Sequence, residues 1–322
     1  MNKLFFKNKL LCSSLKKSYL LKVFKYNFHN VINSKSALKL NKDDTIYIDI
    51  RSKEDYENCH IKNSVNIHEF FTFLSMTDKE GIAKLKETFN DIIKSKGIKA
   101  NKNLVFYENY LGALKGASCR AYFFMKTLGY DENKLYILED GIEGWKHNNQ
   151  EIEKGNEKDA EHNTNNSNND NKSLFVANIP EQNDLYKLED MKELINNYDF
   201  KQTHIIDVRD EEEWKGDSSS PYGVNYAPRK GRLPNAKFLL WTKLMNNDSK
   251  SFKSNEEIEQ LVKDIGINDK NENIVVYCFK GARSSNSYVA LKKAGYKNVK
   301  NYIGSWNEWS RYPELPIDDK KI

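Results

Sequence analysis

The sequence predicts a duplicated α/β fold: two domains in tandem, each a parallel sheet with helices on both faces. Three observations carry this. The length of 322 residues exceeds what one ordinary core organises and suits two domains of about 110 to 150 residues each. An internal repeat pairs TIYIDIRSKEDY (Thr45 to Tyr56) with THIIDVRDEEEW (Thr203 to Trp214). It also pairs the stretch Asn103 to Trp145 with Asn273 to Trp309, at a separation near 160 to 170 residues, which is a domain and not a solenoid unit. Finally, the unbroken apolar runs IIDV (205–208) and IVVY (274–277) fit strands covered on both faces, the mark of a parallel sheet between helices.

The elements follow in order. Each half opens with an apolar strand ending in Asp-x-Arg (Asp49 and Arg51; Asp207 and Arg209), then an acidic helix start. The next landmarks, CHIKNSVNI from Cys59 and GRLPNAKFL from Gly231, correspond. After a longer helix comes a strand ending in tyrosine, a glycine-bearing loop, a helix closing at Gly-Tyr, a short strand, a turn and a tryptophan. Two stretches stand outside the repeat. Residues 1–42 hold ten lysines and no Asp or Glu, the composition of an organellar targeting segment, with the mitochondrion expected ahead of a plastid-type organelle or the cytoplasm. Residues 151–172, rich in Asn and charge, cannot bury enough apolar surface to offset chain entropy and read as a linker. The expected division is therefore a targeting or disordered segment 1–42, domains 43–150 and 173–322, and the linker between them.

Composition narrows the chemistry. Cys12, Cys59, Cys119 and Cys278 have neither paired nor metal-type spacing, so no disulfide framework, metal or cofactor is expected and a reducing compartment is natural. The net charge of +5 comes from 51 basic and 46 acidic residues spread along the chain and does not call for nucleic acid. No apolar run is long enough for a membrane span.

The residue that invites chemistry is Cys278, where the run IVVY gives way to FKGARS and a helical pattern. A strand ending in a glycine turn before a helix aims backbone N–H groups and the positive helix end at one spot. A thiol there ionises readily, and Lys280 and Arg283 add positive charge, making Cys278 a candidate nucleophile. Its rival is a half-buried core cysteine.

Asp207-x-Arg209, GRLPNA, the strand-end cysteine of CFKGAR and the closing IGSWNEW together resemble a rhodanese domain. Two in tandem resemble the thiosulfate and mercaptopyruvate sulfurtransferases. That resemblance implies a catalytic second domain and an inactive first one, because Glu108 stands where Cys278 does. It implies a Cys278 persulfide cradled by Phe279, Lys280, Gly281, Ala282, Arg283 and Ser284, with Lys280 holding an anionic donor. Asp207 and Arg209 are expected to support the loop from beneath, with Arg283 bonding backbone carbonyls or a carboxylate such as Asp207. Arg229, Lys230 and Arg232, in a segment longer than its counterpart, are candidate donor-binding cations at the mouth or else a solvated basic loop. Expected partners are a small anionic sulfur donor and an acceptor such as cyanide, a thiol or a thioredoxin-like protein, with the chain a monomer.

Three features depart from the family pattern: Glu213 replaces an arginine, GRLPNA lacks the usual histidine, and Arg283 replaces a small residue. Cys59 and Cys119 read as structural, and Tyr302, Trp306 and Trp309 as core aromatics. Two further readings compete with sulfur transfer. One is a noncatalytic sulfur carrier or scaffold. The other is a cysteine-dependent phosphatase or arsenate reductase, whose loop places five residues between Cys and Arg; here four separate Cys278 from Arg283, a cradle sized for one sulfur.

Overall fold

The structure, a computed structural model, describes residues 28–156, 174–197, 203–247 and 250–321. The first half forms a five-stranded parallel sheet in the order Val31–Ile32, Leu135–Leu138, Asn103–Tyr107, Thr45–Asp49, Val65–Asn66. The second forms a four-stranded parallel sheet in the order Asn298–Tyr302, Asn273–Tyr277, Thr203–Asp207, Lys237–Phe238. Central strands are buried along nearly their whole length, as Leu104 to Tyr107 and Ile274 to Tyr277 show, because helices cover both faces. The paired registers Asp49↔Tyr107 and Asp207↔Tyr277 are equivalent, so the duplication extends to which residues lie side by side.

Two expected boundaries move. Val31–Ile32 pairs with Ile137 and Leu138 at the sheet edge, and Phe28 is buried against the Tyr122 ring. The first domain therefore includes residues before 43; a two-residue edge strand is too short to show as periodicity. Residues 1–27, which carry the rest of the targeting expectation, lie outside the described residues. Ile152–Glu153 pairs antiparallel with His60–Ile61, so the start of the expected linker belongs to the first domain too. Residues 157–173 lie outside the described set. Beyond them Leu174 bridges to Lys99, the Phe175 amide donates to the Ile98 carbonyl at 3.0 Å, and the Phe175 ring packs 4.9 Å from Tyr130. This strap lies on the first domain, and the second begins nearer Leu185, whose bridge to Asn301 repeats the edge position of Val31.

The helices Ala117–Thr127 and Ala282–Lys293 join the halves. Neither has an apolar stripe facing a polar one. Nearly every residue of both is buried, as expected of helices enclosed by two cores. Phe123 meets Tyr288 edge-on at 5.0 Å, and Lys126 reaches Asp184 at 2.8 Å and the Tyr288 hydroxyl at 2.9 Å. Elsewhere on the interface the buried Glu308 carboxylate accepts from the Thr77 hydroxyl at 2.5 Å and the Asp78 amide at 3.2 Å. Tyr302, Trp306 and Trp309 belong to the core on one face of the second sheet, all fully buried.

Candidate active site

The strand Asn273–Tyr277 delivers Cys278 to the carboxyl edge of its sheet, beside the start of the helix Ala282–Lys293. The backbone there is held on both sides. The Cys278 amide donates to Ser305 Oγ at 3.0 Å, and its carbonyl accepts from the Trp306 amide at 3.0 Å. Ser305 is fully buried with φ of 55°, a left-handed conformation costly for a non-glycine residue and tolerated where its surroundings fix it. Gly281, with φ of 95°, turns the chain, and a Cβ there would meet the Ile303 carbonyl oxygen at 3.1 Å. Only glycine brings its N–H to 3.1 Å from Sγ of Cys278.

Burial by itself would raise the Cys278 thiol. The Arg283 charge and the hydrogen-bonding groups of Ser284 and Gly281 outweigh it and hold the thiol below its ordinary value. The Ser284 hydroxyl is buried and within electrostatic reach of the sulfur, yet has no partner of good hydrogen-bond geometry. An additional sulfur atom on Cys278 would supply one. The cavity over the thiol offers about 20 Å³ of free space, room for a single water-sized atom. Its lining is Phe71, Lys115, Pro221, Tyr222, Phe279, Lys280, Ala282 and Arg283 around Cys278.

The two loop cations are placed differently. Lys280 Nζ sits 4.4 Å from the Phe71 ring centre and 5.2 Å from that of Tyr222. Burial first, then the Arg120 and Lys115 charges, push its pKa down to about 8. Arg283 turns inward to Glu213, with Nη2 3.0 Å from Oε1, and its Nη1 lies 2.9 Å from Asp210. Its carboxylate partner is thus Glu213, not Asp207. Asp207 is taken by Arg209, whose Nε lies 3.0 Å from Oδ1, and by the Tyr277 hydroxyl at 2.5 Å; Arg209 Nη2 also donates to the Gly231 carbonyl at 2.8 Å. The pair is fully buried one residue below Cys278. Asp49 and Arg51 repeat it, reaching the Cys59 carbonyl.

The basic segment is not at the mouth. Arg229 spends its guanidinium on the carbonyls of Trp309, Ser310 and Leu315; Arg232 bonds Trp214, Asp318 and Lys320; Lys230 donates to the Asp217 carbonyl. The two arginines fasten a long loop to residues 309–320, since guanidinium forks satisfy several carbonyls at once. Sequence reasoning missed the first domain's share. Phe71 and Lys115 line the cavity. Arg120, fully buried, donates to the carbonyls of Phe70, Phe71 and Phe73 with no carboxylate among its described partners. The signal for Lys115 is a repeated tripeptide, Lys115-Gly116-Ala117 against Lys280-Gly281-Ala282.

In the first domain the equivalent cradle is filled by its own side chain. Glu108, buried at the end of its strand, accepts from the Ser118 amide at 3.2 Å, the Ser118 hydroxyl at 2.8 Å and the Leu114 amide. Burial pushes this carboxyl up, with those donors pulling against it. The Cys119 thiol is pushed well up, by burial and then by Glu108 and Glu139.

The sequence profile of the rhodanese-like domain matches residues 34–148 and again 188–312. The chain belongs to the rhodanese-like family. Among its relatives, a Haloferax volcanii protein named "Putative thiosulfate sulfurtransferase" is 27% identical over 274 residues, covering 82% of this chain and 85% of that one. The "Sulfur carrier protein TtuD" of Thermus thermophilus is 42% identical over 116 residues, 35% of this chain and 40% of the other. Among solved structures, an anaerobic ergothioneine biosynthesis enzyme from Chlorobium limicola superposes with a TM-score of 0.70 at 20% identity, over 90% of this chain and 70% of that one. That likeness is one of fold. In this rhodanese-like chain only the second cradle presents a thiol.

Proposed function

We propose that this rhodanese-like protein is a sulfurtransferase that moves the outer sulfur of thiosulfate, or the thiol sulfur of 3-mercaptopyruvate with pyruvate leaving as its enolate, to a nucleophilic acceptor such as cyanide or a thiol. The Cys278 thiolate attacks the outer sulfur of thiosulfate. The sulfur–sulfur bond breaks, sulfite leaves with the bonding pair, and Cys278 carries a persulfide. An acceptor then attacks the outer sulfur and Cys278 departs as thiolate. The observation that carries this reading is the depressed thiol facing a one-atom cavity with an N–H donor 3.1 Å from Sγ. Such pre-aimed donors stabilise a sulfur anion without reorganising. Lys280 at the mouth favours an anionic donor. Four residues, not five, separate Cys278 from Arg283, and Arg283 is turned away to Glu213, which argues against the phosphate-cradling loop of phosphatase or arsenate reductase chemistry. Similarity to a sulfur carrier protein favours one second reading, a carrier whose persulfide goes to a protein acceptor.

Steady-state kinetics with thiosulfate against 3-mercaptopyruvate, followed by intact mass of the loaded protein, tests the proposal. Turnover with either donor and a mass gain of one sulfur on Cys278 is expected. Loading without turnover to small acceptors leaves the carrier reading, and no loading with either donor removes both. Mitochondrial residence and a monomeric state are part of the same proposal.

A further inference from the structure

The first domain carries no thiol in its cradle, yet its loop reaches the second domain's cavity. Gly116 packs so tightly against the catalytic helix that a Cβ there would meet Asn286 Cβ at 2.6 Å and the Ala282 carbonyl at 3.1 Å. This contact delivers Lys115, one residue earlier, to the lining of the cavity that holds Cys278. Lys115 adopts φ of 57°, a left-handed conformation that a lysine takes only under constraint. Its half-buried side chain has no ion pair or hydrogen bond among the described residues. Lys280, its counterpart in the repeat, lines the same cavity and is likewise free of carboxylates. Two unneutralised ammonium groups from the two halves therefore flank one opening, an arrangement that repels itself when empty and is relieved by an anion.

We propose that Lys115 is a specificity-determining residue of the second domain's site: it and Lys280 form a two-domain clamp for the anionic end of the sulfur donor. The inference rests on the sulfurtransferase reading for the identity of the donor, but not for the charge it must carry. A donor with two negative charges gains more from the clamp than a singly charged one. The idle domain thereby sets substrate charge for a thiol it does not own.

The test uses the full-length protein and two alkylating reagents of nearly equal shape, anionic iodoacetate and neutral iodoacetamide, with modification at Cys278 followed by peptide mass. Their rate ratio reports the local field and cancels changes in thiol ionisation, which affect both reagents alike. Lys115→Met is expected to lower the iodoacetate-to-iodoacetamide ratio about threefold to fivefold, the scale of one partly exposed charge interaction. It should raise KM for thiosulfate by a similar factor, with a smaller rise for 3-mercaptopyruvate. Lys115→Gly, which suits the left-handed backbone, should lower the ratio equally while raising the thermal midpoint, a combination that a merely structural lysine does not give. An unchanged ratio in both variants overturns the proposal even if the wild type transfers sulfur. A lowered ratio in a protein that takes no sulfur from either donor keeps the clamp and removes the sulfurtransferase reading.

Discussion

Glu213 and Arg283 form a buried two-pronged ion pair, with Nη2 3.0 Å from Oε1 and both side chains almost fully enclosed. The acid at 213 and the base at 283 each depart from the pattern of the thiosulfate and mercaptopyruvate enzymes. Side by side they are one exchange, because each neutralises the other. Removing one partner strands a buried charge. Arg283→Met is expected to lower unfolding free energy by about 3 to 5 kcal/mol, and Glu213→Leu combined with Arg283→Met to recover most of it. Denaturant unfolding of the singles and the double measures this; additive losses would show the two sites to be independent.

The same arginine also holds the Cys278 thiol down. The double variant should therefore remain stable but require a higher pH for half-maximal alkylation of Cys278. Turnover with every donor should fall alike, since the lost charge acts on the nucleophile and not on the donor. A defect confined to thiosulfate would move donor recognition from Lys280 to Arg283.

Lys280 gives a pH signature. Its pKa is pushed down to about 8 by burial and by Arg120 and Lys115, with the Cys278 charge opposing, so its positive charge is present below about pH 8 and lost above. KM for thiosulfate should rise across that pH, and Lys280→Met should have a high KM that no longer changes there. Stability runs the other way. A lysine with a folded pKa below its unfolded value near 10.5 releases its proton sooner in the native state, so its penalty on folding fades as pH climbs from about 8.

Cys278→Ser should abolish transfer with the fold intact, because a hydroxyl forms no persulfide. Cys119→Ala should leave transfer unaltered, its thiol being pushed up by burial and by Glu108 and Glu139. Loss of transfer in the Cys119 variant alone would make it a resolving thiol.

The targeting expectation is tested by fusing residues 1–27, which precede the folded first domain, to a fluorescent reporter. Mitochondrial fluorescence is expected, and a diffuse cytosolic signal would reduce the lysine-rich stretch to composition.

The fold was legible because its signals are local: a strand ending in Asp-x-Arg, a glycine before a helix, and a closing tryptophan, each found twice. Cys278, Gly281 and the Asp207 to Arg209 pair could be read within a few residues of one another. What sequence could not show depends on chain separated by a whole domain. Lys115 lines the cavity only because the two enclosed helices pack together, and their enclosure erases the periodicity that would announce it. Charge counting also misled at Arg229 and Arg232, whose guanidiniums bond carbonyls within the fold. A fork that satisfies several oxygens looks, in sequence, like a free cation.

Glu108 has a last consequence. Its carboxylate occupies the first cradle with the Ser118 amide 3.2 Å away, much as a permanently bound anion would. Substituting a thiol alone would not restore a second working centre: the loop from Glu108 to Gly116 is longer than that from Cys278 to Gly281, and Ser118 stands where Arg283 does. Reversal therefore needs several coordinated changes, each unfavourable by itself. The division of labour between the halves works as a ratchet: the first cradle stays closed by its own carboxylate, while Phe71 and Lys115 of the same domain still border the cavity over Cys278.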